Sequence, residues 1–112
     1  MYEVECAYRR ENGVRVFMRD DQLNEETDRF CDMRVYFDVT DIYPAEASTG
    51  AAMDWNGDIG SIEIRTVGWG RWHGLEGADF EAAKAFLLRE HAKALWEKGG
   101  QYAETLHFSE AA

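Results

Sequence analysis

The chain has 112 residues, a net charge of −10 and 46% hydrophobic residues. That is one domain, long enough for a single core, and its aromatic content argues against disorder throughout. The charge disfavours nucleic acid and anionic lipid as direct partners, because it makes contact with phosphate repulsive.

The charge is segregated. Between Asp20 and Gly60 there are eleven carboxylates against Arg29 and Arg34, so this stretch carries −9 while the remainder is nearly balanced. A local field of this kind attracts a basic surface, although it also serves solubility. The N-terminus lacks a basic region followed by an apolar run, and no stretch is long and apolar enough to span a bilayer. A cytoplasmic location with no membrane association is expected, with Cys6 and Cys31 as reduced thiols and Cys6 as a small buried group.

In chain order, Tyr2 to Tyr8 and the start of Val14 to Arg19 alternate around Asn12-Gly13. Asn-Gly accommodates the two positive φ values of a type I′ turn, so the pattern predicts a hairpin over about 2–11 and 14–19. A two-residue loop fixes its register: Glu11 opposite Val14, Arg9 opposite Val16, Tyr8 opposite Phe17. Residues 20–32 are polar and acidic, with a helical turn or a loop at Asn24 to Asp28. Met33 to Tyr43 predicts a long strand, with Met33, Val35, Phe37 and Val39 on one face and Arg34, Tyr36, Asp38, Thr40 and Ile42 on the other. It should stop at Pro44.

Residues 44–58 predict a loop with a turn at Asn56-Gly57, followed by a half-exposed strand from Ser61 to Val67. A glycine-punctuated tryptophan loop, Gly68 to Gly74, comes next. The last element is a helix. Asp79 suits its N-cap, Phe80, Ala83, Leu87, Leu88, Ala94 and Leu95 fall in one arc, and Gly99-Gly100 should end it. A short second helix is possible over 101–108. Four strands and then a helix predict an α+β fold: a mostly antiparallel four-stranded sheet with an N-terminal hairpin and a C-terminal helix on one face.

Motifs for chemistry are lacking. Asp54, Asn56 and Asp58 have the spacing that opens a calcium loop, but Ile59 stands where the turn glycine belongs and Arg65 where the closing carboxylate belongs. His73, His91 and His107 show no zinc spacing, and His91 reads as a half-buried, hydrogen-bonded residue. Cys31 lies in an acidic field, which opposes thiolate formation. The glycines after residue 67 miss the dinucleotide spacing. The expectation is therefore no enzyme activity, no metal and no cofactor.

Trp69, Arg71, Trp72 and His73 form the one cluster of interface-type residues in a loop. Trp and Arg are enriched at binding hot spots, and burial of one or both tryptophans as core is the competing reading. With Asp38, Asp41, Asp54 and Asp58 they make a candidate surface for a protein partner with a basic face.

The strand Val35-Tyr36-Phe37-Asp38-Val39, the Tyr43-Pro44-Ala45-Glu46-Ala47 loop, the strand Ile62 to Val67 and the Ala/Leu/Glu-rich helix together resemble small proteins of proteobacterial phages and prophages. The resemblance covers Met33 to about Lys98. The Asn-Gly hairpin and the tryptophan loop depart from it. It implies a phage protein and brings no catalytic residue with it. Some small acidic phage proteins inhibit host defence enzymes, so an inhibitor or adaptor is the functional expectation. The alternative is an accessory or structural phage protein whose charge serves solubility alone.

Overall fold

A computed structural model describes residues 1–43, 54–66 and 68–111, and from 107 onward only their helical backbone. Five strands, β1 (Tyr2–Glu11), β2 (Val14–Met18), β3 (Arg29–Tyr43), β4 (Asp54–Arg65) and β5 (His73–Gly74), precede two helices, α1 (Gly77–Glu90) and α2 (Ala92–Ala111). The sheet is antiparallel in the order β2-β1-β3-β4-β5. The α+β class holds, with five strands and two helices in place of four and one.

The hairpin has the predicted register, with Tyr8 opposite Phe17 and Glu11 opposite Val14. Asn12 and Gly13 take φ values of 53° and 80°, as a type I′ turn requires. The Tyr8 and Phe17 rings pair at 5.9 Å between centroids. At Asn24 to Asp28 the chain makes a turn: the Asp28 amide donates to the Asn24 carbonyl at 2.8 Å, and the Asn24 amide donates to the Asp28 carboxylate at 2.9 Å.

Three boundaries differ from expectation. β3 begins at Arg29, because Cys31 continues the inward parity of Met33 and Val35 and pairs with Cys6 across β1. Asn56-Gly57 is not a turn. It lies within β4, Asn56 opposite Asp41 and Gly57 opposite Val39, so the β3–β4 connection moves to 44–53, outside the described residues together with Pro44. The helix breaks at His91 rather than at Gly99-Gly100, and α2 runs on through both glycines. His91 leaves helical geometry at φ −131°. Its Nδ1 lies 3.2 Å from the Tyr2 hydroxyl and its ring meets Phe86 edge-on. The chain passes both glycines as helix, and the Trp55 ring occupies the space that a side chain on Gly99 would need.

A register break at Gly60 divides the long β3–β4 ladder into a proximal and a distal part, and a second at Thr40 interrupts the distal part. Both helices pack on one face of the sheet. Cys6, Tyr8, Phe17, Met33, Val35, Ile62 and Ile64 point at them and meet Ala83, Phe86, Leu87 and Leu95. Leu88, expected in the apolar arc, is exposed, and Phe86 takes the buried place. Asp79 does not cap α1, which starts two residues earlier. It binds the hairpin instead, accepting from the Arg15 amide at 2.8 Å and from Arg15 Nη1 at 2.6 Å.

Candidate partner-binding surface

Strand alternation sends the other set of side chains to the helix-free face. Across β1, β3 and β4 the register lines up Glu3, Arg34 and Glu63 in one row and Glu5, Asp32 and Arg65 in the next. Arg34 Nη2 meets Glu3 at 2.9 Å, and Arg65 Nε meets Asp32 at 3.0 Å. The loop after β4 brings Trp72 back over these rows, with the Arg34 and Arg65 guanidinium carbons 3.9 and 4.4 Å from its ring centre. Two cations against one indole hold the ring in place and leave Trp72 half-buried.

Trp69 is different. It is 89% exposed. Beside this loop a cleft of about 380 Å³ runs between Phe30 and Gly68 over Cys31, and Glu5, Asp32 and Arg65 line it as well. The same three charged residues line a second cleft that reaches Glu3 and Trp72, so the two form one groove. Phe30, on its rim, is 58% exposed. The groove has four carboxylates in its rows to two guanidiniums, and an exposed aromatic at its mouth. Chemically it suits a cationic side chain flanked by an apolar one.

The predicted residues fall into two groups. Trp69, Arg71, Trp72 and His73 lie at the proximal end of β4, and Arg71 and His73 are exposed like Trp69. Asp38, Asp41, Asp54 and Asp58 come together on the distal part of the β3–β4 ladder, with Asp38 directly opposite Asp58. Seven strand residues separate Asp58 from Arg65, so the groups are about 20 Å apart along the sheet. Asp58 bonds Lys84 of α1 at 2.8 Å, and that ammonium together with the Ile59 amide holds its carboxyl below the usual range.

The acidic stretch does not form one patch. Asp20, Asp21, Glu25 and Glu26 precede the start of β3 at Arg29, and Asp38 and Asp41 lie toward its end, about 30–40 Å further along the strand. Asp28 is buried in its own turn and Asp32 is paired with Arg65.

Phe30 and Glu5 were missed by sequence reasoning. The signal was there: Phe30 is an aromatic out of phase with Met33 and Val35, which puts it on the helix-free face once the strand is extended back. Among the described residues no three of His, Cys, Asp and Glu converge as metal ligands, and no helix is long and apolar enough to cross a membrane. The side chain of His107 lies outside the described residues. The chain matches no family model, no curated protein and no solved structure.

Proposed function

We propose that the protein acts by binding another protein through the helix-free face, with Trp69 as the anchor and a basic segment of the partner in the adjoining groove. The observation that carries this is the 89% exposure of Trp69 beside a groove rimmed by exposed Phe30 and lined by Glu5 and Asp32. A tryptophan left in water forgoes most of the apolar burial available to it, and such residues dominate binding where a partner supplies the cover. The carboxylates select a cationic neighbour and speed its approach.

The distal aspartates extend the same preference along the sheet. In keeping with the phage-type resemblance, the protein is read as an inhibitor or adaptor in the host cytoplasm. It engages a basic, nucleic-acid-binding surface by occupancy and not by catalysis.

Affinity capture from host lysate tests this when wild type is run beside Trp69→Ala and Glu5→Gln. A specific partner should be lost with Trp69→Ala, at about 2 kcal/mol or more, and weakened with Glu5→Gln in a salt-dependent way. Identical capture by all three proteins, or a gel shift of duplex DNA at physiological salt, would sink the reading.

A further inference from the structure

Cys6 and Cys31 are direct partners in the antiparallel β1–β3 ladder, and their sulfurs lie 3.1 Å apart. Cross-strand partners have Cα atoms about 4.5–5.5 Å apart, within the span a disulfide bridges. Closing to a bond of about 2.05 Å needs roughly 1 Å of sulfur movement, which side-chain rotation supplies without moving the strands. Both residues are buried, and the sequence holds no other cysteine for either thiol to pair with.

We propose that this pair is an oxidation site at which Cys6 and Cys31 are converted to an intramolecular cross-strand disulfide by a small neutral peroxide. Both sulfurs lie on the helix-covered side of the sheet, Cys6 0% and Cys31 4% exposed, so a small neutral oxidant reaches them on local opening while a bulky anionic one such as glutathione disulfide is shut out. Cys31 sulfur attacks one peroxide oxygen, the O–O bond breaks, and Cys31 becomes a sulfenic acid as water leaves. Cys6 sulfur then attacks the sulfenyl sulfur, the S–O bond breaks, and the hydroxyl leaves as a second water with the Cys6 proton. Two thiols and one hydrogen peroxide give one disulfide and two waters, with two electrons passing from sulfur to oxygen.

The thiols oppose fast reaction. Cys6 is held protonated by its hydrogen bond to Cys31, by burial, and by the negative charge of Asp20 and Asp32. Oxidation is accordingly slow and responds to sustained peroxide, not to a brief pulse. Its consequence is mechanical. The bond closes a loop of 25 residues that contains the hairpin turn and all of β2, pins β1 to β3, and fixes the backbone beside Phe30 at the groove rim. The site stands on the ladder geometry and does not depend on the existence of a partner.

The test is prolonged exposure of the folded protein to millimolar hydrogen peroxide, read by intact mass, thiol titration and melting. The expected product is monomeric, lighter by two hydrogens, without free thiols, and melts about 5–10 °C higher until a reductant restores the original midpoint. Cys6→Ser should instead accumulate a Cys31 sulfenic acid that dimedone captures. Unchanged thiols, a covalent dimer, or stable addition of oxygen to wild type would each overturn the proposal. The wild-type mass decides even if the variant fails to fold.

Discussion

Trp55 and Gly99 fit one another: the six-membered ring of the β4 tryptophan lies where a side chain on the α2 glycine would stand. Trp55 is buried, stacks on Trp96 at 4.7 Å and meets Phe37 edge-on at 6.3 Å. On the strand side, a Cβ on Gly57 would come within 2.7 Å of the same ring. Two glycines from different elements therefore form the slot that docks α2 on the distal ladder.

Helix propensity and packing pull in opposite directions at Gly99. Alanine gains about 1 kcal/mol as a helix former but displaces a large ring from a close-packed slot, an overpacking cost of about 1–3 kcal/mol. Gly99→Ala should destabilise on balance. Gly100→Ala is the control: its Cβ would lie 3.3 Å from the Trp55 ring, a tight contact relieved by a small shift, so propensity should leave it neutral or stabilising. Urea melts of the two variants check this, and equal effects would show that Trp55 does not set the choice of glycine.

At the other end, Gly13 holds φ at 80° in the hairpin turn. Gly13→Val puts a β-branched side chain into the left-handed region and should cost about 1 kcal/mol or more. An unchanged urea midpoint would rule out a type I′ turn in solution.

Asp79 joins the first turn of α1 to β2 through two hydrogen bonds to Arg15, both side chains being 20% exposed. Asp79→Ala leaves a half-buried guanidinium over Tyr8 and a backbone amide without an acceptor. A loss of about 2 kcal/mol follows from a charged hydrogen bond and a stranded donor. An effect under 0.5 kcal/mol in chemical denaturation would mean that the pair is dispensable.

These residues show what the sequence made legible. The hairpin's register could be read to the residue, because Asn12-Gly13 fixes backbone chirality locally and the loop length then fixes the pairing. The glycines were ambiguous. Asn56-Gly57 and Gly99-Gly100 carry turn and stop signals, yet all four lie inside elements, and Trp55 uses the absence of side chains at Gly57 and Gly99. That fit is tertiary and spans more than forty positions, so no local pattern contains it. The candidate surface was legible in part. The tryptophan loop was visible in composition, but which of its two rings is covered depends on Arg34 and Arg65 arriving from other strands.

That division has a spectroscopic consequence. Trp69→Ala should leave stability within about 0.5 kcal/mol and remove the most acrylamide-quenchable part of the fluorescence. Trp72→Ala should quench much as wild type does and cost about 1–2 kcal/mol through the lost guanidinium contacts. That pattern fits the anchor role proposed for Trp69, while Trp72 holds the loop in place through Arg34 and Arg65. Reversed effects would exchange these roles.

Asp58 and Lys84 tie the distal ladder to α1 at 2.8 Å, and each shifts the other. The Lys84 hydrogen bond and then the Ile59 amide lower the Asp58 pKa from its ordinary 3.8. A depressed carboxyl stabilises the fold above its unfolded value, and that contribution disappears as pH falls through the depressed value. Lys84 is raised from 10.5, chiefly by the Asp58 hydrogen bond, so its share is complete below that value and is lost only as strongly alkaline pH passes the raised one. The pair therefore contributes across the neutral range. Its effect is small, because solvent screens an aspartate side chain that is 62% exposed. Asp58→Asn should lower the melting midpoint at pH 7 by less than Asp79→Ala does, and the gap to wild type should close on acidification to pH 2 as the wild-type carboxyl protonates. Melting curves across that range in low salt check it. A gap that persists at pH 2 would show that the stabilisation does not come from the charge of Asp58 on Lys84.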